Sequence, residues 1–77
     1  MSKAALPEKH YYRVGMVERG PRNEWREAYS VVGEYGVEYP WLTIAEAGKQ
    51  ARADGCKPVF HKGTCCPDDA VKEARKA

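Results

Sequence analysis

The side chains best equipped for chemistry lie toward the C-terminal end. Cys56-x4-His61-x3-Cys65-Cys66 places four soft ligands within eleven residues. Thiolate sulfur and imidazole nitrogen are the donors that hold a tetrahedral zinc ion. The Cys-x2–4-Cys knuckle of structural zinc sites is missing, and adjacent cysteines seldom both reach one ion. The spacing therefore favours half-buried thiols beside a surface histidine on an edge strand, and no cofactor is expected. Cys65 and Cys66 also precede a predicted helix, whose dipole favours thiolate. Oxidation can join Cys56 to Cys66. The simpler reading, in which Cys66 caps or packs against the helix start, is preferred. The two histidines, His10 and His61, fall on different predicted strands. No Ser or Thr stands in a nucleophile setting and no Gly-rich phosphate loop is present. A chain this small can hardly exclude water from a reaction centre, so an enzyme is not expected.

Two charged constellations remain. Arg13, Arg19, Arg22 and Arg26 cluster on a predicted hairpin with Tyr11 and Trp25 between them, an arrangement that can grip phosphates and stack on bases. Acids dilute it: residues 1–27 hold six bases and four acids. The alternative is an ordinary solvated hairpin of mixed charge. From Ala28 to Ala47 the balance reverses, with Glu34, Glu38 and Glu46 and no base. Glu34, Tyr35, Glu38 and Tyr39 form an acidic, aromatic loop. Tyrosine is a common interface anchor, and carboxylates steer such a loop toward a positive surface. The alternative is a connecting loop whose aromatics fold back as core, which is the expectation for Trp41.

The elements that must carry these residues read as follows. His10–Glu18 alternates with period two, the mark of a strand, and Gly15 weakens it or marks a bulge. Arg19–Asn23 is turn chemistry. Glu24–Val32 alternates again, with Trp25, Tyr29 and Val31 on the expected inner face. Gly36–Tyr39 reads as a short third strand that Pro40 stops. Thr43-Ile44-Ala45-Glu46 is a capping box with Leu42 as its staple. The helix runs Thr43–Asp54, with a narrow stripe of Ile44, Ala47, Gly48 and Ala51, and ends at Gly55. Cys56–Lys62 is a strand that Pro58 confines to a sheet edge. Pro67-Asp68-Asp69 opens a last helix with Arg75-Lys76 at its end, both suited to the helix dipole.

At 77 residues, 43% hydrophobic and 31% charged, the chain is one small globular domain. The expected organisation is a flexible arm over residues 1–9 and a domain over 10–77. The fold class expected is α+β, ordered β-β-(β)-α-β-α, with a small antiparallel sheet and one helix packed on one face. A net charge of +2 excludes a polybasic tail. No apolar run approaches the roughly 20 residues of a membrane span. An odd cysteine count without a leader at Met1–Leu6 points to free thiols in the cytoplasm.

Gly36–Ala51, GVEYPWLTIAEAGKQA, resembles the strand-to-helix junction of the arm-type DNA-binding domain of tyrosine integrases, where a Tyr-Pro pair leads to a Leu/Ser-x-x-Glu-Ala helix start. That resemblance implies binding to DNA arm sites. The whole chain is similar in size, minimal sheet-plus-helix plan and mixed charge to small phage and prophage accessory proteins of the anti-CRISPR inhibitor type. That resemblance implies a non-enzymatic protein that covers a surface of a host nucleoprotein complex by steric or charge mimicry. The leading expectation is such a binding protein, using Glu34, Tyr35, Glu38 and Tyr39. A DNA- or RNA-binding module using Arg13, Arg19, Arg22 and Arg26 comes second. A zinc- or thiol-dependent module using Cys56, His61, Cys65 and Cys66 comes third.

Overall fold

The structure, a computed structural model, describes residues 5–76. Strand β1 (Glu8–Arg19) pairs antiparallel with β2 (Glu24–Ser30) and parallel with β5 (Lys57–His61), giving the order β2-β1-β5. Between them come a two-stranded hairpin, β3 (Val32–Gly33) with β4 (Gly36–Val37), and helix α1 (Ile44–Ala53). Helix α2 (Pro67–Arg75) closes the order. The α+β class and the sequence of elements follow the expectation.

Several particulars differ. The main sheet is mixed, because β5 runs parallel to β1. Its edge position is the one Pro58 requires, since proline has no N–H for a further neighbour. The third strand pairs with Val32–Gly33 instead of joining the sheet. Glu8 and Lys9, expected in the arm, are already strand, paired with Lys57 and Pro58. Ala5–Pro7 are exposed and outside any strand or helix, and residues 1–4 of the expected arm lie outside the described residues.

The largest departure concerns the core. The sheet is covered on both faces, not one. Tyr11 and Tyr29 meet Ala47 and Ala51 of α1, while Tyr12, Val14 and Ala28 meet Ala70 of α2. Burying each tyrosine contributes about 1.5–3 kcal/mol, provided its hydroxyl finds a partner. Tyr11 donates to Gln50 Oε1 at 2.9 Å and Tyr29 to Glu27 Oε1 at 3.1 Å. Burial raises the ionisation of both phenols above the ordinary tyrosine range. Phe60 stacks on Tyr11 and presents its edge to Tyr29. The small side chains of Ala47 and Ala51 let α1 lie close to these rings. Trp25, expected inside, is 64% exposed: it lies beside the β1–β2 turn, paired with Glu18, and belongs to neither core cluster.

Local chemistry sets the helix ends. Thr43 Oγ1 accepts from the Glu46 N–H at 3.3 Å, and Glu46 Oε1 accepts from the Thr43 N–H at 3.0 Å. At the other end the N–H of Gly55 donates to Arg52 and that of Cys56 to Ala51, with Gly55 at φ +69°. This is the Schellman arrangement, in which a left-handed residue lets the chain turn back and satisfy the last carbonyls.

Candidate functional site

The hairpin β3–β4 carries the acidic and aromatic residues. Val32 and Val37 pack against Tyr12, Val14, Ala28 and Ala70, which plants the hairpin base in the second core cluster. Its turn is Glu34-Tyr35, followed by Gly36 at φ +120°, a conformation that glycine adopts readily. Tyr35 stands at the tip, 95% exposed. The guanidinium of Arg75, at the end of α2, donates to the Glu34 carbonyl at 3.0 Å and braces the turn.

The following residues are equally fixed. The Glu38 N–H donates to the Val31 carbonyl at 2.8 Å, and the buried Ser30 hydroxyl donates to the Glu38 carbonyl. The Glu38 carboxylate folds back over Gly33, where any side chain would collide with it. Glu34 and Glu38 thus lie at the tip and base of one small projection. Tyr39, 76% exposed, precedes a cis Pro40 and stacks on Trp41 with ring centroids 5.6 Å apart and planes 7° apart. Trp41 is half-buried on the second cluster, in line with its expected core role. Neither Glu34 nor Glu38 forms an ion pair among the described residues.

The basic set is placed differently. Arg13 lies 3.6 Å from Glu27, and Arg26 3.3 Å from Glu24. Arg19 reaches Glu46 at 3.3 Å and the Trp41 carbonyl at 3.0 Å. Glu46 is held below the usual carboxylate range, first by the Thr43 N–H and then by Arg19. Arg22 sits exposed in the β1–β2 turn. Three of the four expected phosphate-gripping side chains are thus engaged by acids of the same chain.

The expected zinc set is not brought together. His61 pairs with His10, Nε2 to Nδ1 at 2.8 Å, and stacks on Tyr12 at 4.2 Å. The Cys56 thiol donates to the Asp54 carbonyl at 3.5 Å. Cys65 and Cys66 turn instead to Asp69, and all three cysteines are free thiols. The dipole expectation also fails for Cys65. Its thiol is pushed up to about 11, chiefly because it donates to the Asp69 carboxylate at 2.9 Å. A neighbouring full negative charge outweighs the partial positive charge of a helix start. As expected, Cys66 occupies the N-cap position, though its side chain makes no capping hydrogen bond.

Sequence reasoning missed Asp69, Arg75 and the pairing of His10. Asp69 carried a usable signal: it is the third helical residue after Cys66, the place from which a carboxylate reaches back across a helix start. Arg75 and His10 act across the fold, and no local spacing announces them.

Among the described residues no helix is long and apolar enough to cross a membrane. Comparison with known protein families, curated proteins and solved structures finds no match for this chain.

Proposed function

We propose that the protein is a non-enzymatic binding protein that seats Glu34, Tyr35, Glu38 and Tyr39 on a basic surface of a partner protein, as an anti-CRISPR-like inhibitor mimicking nucleic-acid phosphate would on a host nucleoprotein complex. The observation that carries this reading is Tyr35, 95% exposed at the tip of a hairpin braced from α2. A large exposed aromatic on a rigid support loses little entropy on binding and is a typical interface anchor. The adjacent carboxylates of Glu34 and Glu38, without an ion pair among the described residues, add attraction to positive charge.

The test is capture from a bacterial lysate, with the wild type set against Tyr35→Ala and the double charge reversal Glu34→Lys, Glu38→Lys. The wild type is expected to retain a basic protein or nucleoprotein that excess duplex DNA releases. Both variants are expected to lose it while their melting temperatures hold. Retention of the same partner by the charge-reversed variant overturns the reading. A gel shift of DNA or RNA by the purified protein, with affinity falling steeply with salt, would transfer the function to the arginine hairpin.

A further inference from the structure

The start of α2 holds a group of donors that the hairpin reading does not use. One ligand atom each from Cys65, Cys66 and Asp69 lies within 4.8 Å of the others. The Asp69 carboxylate is the focus. It accepts from the Cys65 thiol at 2.9 Å. Among the described residues it makes no ion pair. Two thiols and a carboxylate therefore converge on one another at the start of α2.

We propose that Cys65, Cys66 and Asp69 form a binding site for a thiophilic divalent cation, with zinc as its natural representative. Both sulfurs and one carboxylate oxygen supply three of the four donors a tetrahedral ion takes, and water supplies the fourth. Binding replaces the two thiol protons: one dication enters, two protons leave to solvent, and no oxidant or reductant is involved. Two thiolates and a carboxylate on a dication leave one net negative charge. The start of α2 provides partial positive charge beside it, and the Lys72 ammonium lines the same depression as Asp69. That depression is open and lined also by Thr64 and Glu73, so an ion and its water have access. The extended backbone of Cys66, at φ −151° and ψ 166°, followed by the first helical turn, is what brings adjacent cysteines and the third helical residue to one point.

The site is independent of the hairpin, and so is its test. Reduced full-length protein is titrated with cobalt(II) as a spectroscopic probe and with zinc in competition. One equivalent of cobalt is expected to give a thiolate-to-metal charge-transfer absorption that zinc abolishes. Zinc is also expected to raise the melting temperature, because it binds the folded chain preferentially. Cys66→Ser and Cys65→Ser should each weaken binding at least tenfold, and Asp69→Asn by a similar factor, while Cys56→Ser leaves it unchanged. Serine is close in size to cysteine, and circular dichroism of each variant without metal confirms that it is folded. Absence of a charge-transfer band at equimolar cobalt overturns the proposal. So does zinc binding that survives the double variant Cys65→Ser, Cys66→Ser, or binding that His61→Ala removes instead.

Discussion

Gly15 of β1 lies directly against Trp41: a Cβ added at Gly15 would stand 3.4 Å from Cζ3 of the indole. The same residue has φ +152° and marks the shift in register between β1 and β2. The β-bulge that the sequence offered as one explanation of the glycine is thus present, with Gly15 paired to Ala28 and Val14 the residue skipped in the ladder. A side chain there meets both a strained backbone and a ring. Gly15→Ala is expected to cost about 1–2 kcal/mol, roughly 5–15 °C in melting temperature for a chain of this length. Gly63→Ala is the control, since nothing lies within 4 Å of its added Cβ. Equal effects at the two positions would refute the assignment.

The capping box should confer a dependence on pH. Glu46 is held below its ordinary value of 4.5 in the folded state, chiefly by the Thr43 N–H. A carboxylate lowered by folding stabilises the fold fully above its unfolded value, and that contribution disappears as pH falls through the lower folded value. Its side chain is 43% exposed, so the effect is small. Glu46→Gln is expected to cost about 0.5–1 kcal/mol near neutrality and less at about pH 3, below the ordinary carboxylate value. Thr43→Ala should cost about 1 kcal/mol. Urea midpoints at the two pH values measure both.

That box also shows what the sequence makes legible. Thr43 and Glu46 are neighbours in the chain, so their spacing declares the contact; the same holds for Gly55 and for Pro58 on an edge. Trp25 misled because alternation says which residues share a face but not how far along that face a helix extends. The last helix was expected, but not that it covers the second face of the sheet, because its buried surface is little more than Ala70 and Ala74, residues too small to announce a core. At the candidate site, the exposure of Tyr35 follows from its place between two glycines. The brace from Arg75 to Glu34 spans 41 residues, and no local pattern encodes it.

The His10–His61 pair ties β5 to β1 at the sheet edge. His61 additionally stacks on Tyr12, with ring planes 11° apart, whereas His10 rests on the pairing, a tilted ring contact and an exposed neighbour, Glu8. His61→Ala is therefore expected to cost about 1–2 kcal/mol and His10→Ala less than about 1 kcal/mol. Amide hydrogen exchange across Val59–His61 should accelerate more in the first variant. The reverse order would show that the stack contributes nothing.

Cys65 is exposed yet should be slow to react. With its thiol pushed up to about 11, hardly any thiolate exists near neutrality. Iodoacetamide is expected to alkylate it only as the solution becomes strongly alkaline. Asp69→Asn removes the cause and should accelerate alkylation at neutral pH. Mass mapping of the modified cysteine decides the matter; rapid neutral labelling of Cys65 in the wild type would contradict the role given to Asp69.

Covering both sides of the sheet has a consequence for how the strands find their alignment. Where a sheet has one dry side, sliding a strand by a residue throws its apolar set into water, and the error corrects itself. Here adjacent Tyr11 and Tyr12 point to opposite interiors, and a slip exchanges one tyrosine for the other. Alignment must come from elsewhere: from the kink at Gly15, the reversal at Gly20–Asn23, and the lock between Tyr29 and Leu42. Deleting or inserting a single residue between Tyr12 and Ala28 would therefore do more harm than most substitutions on either surface of the strands.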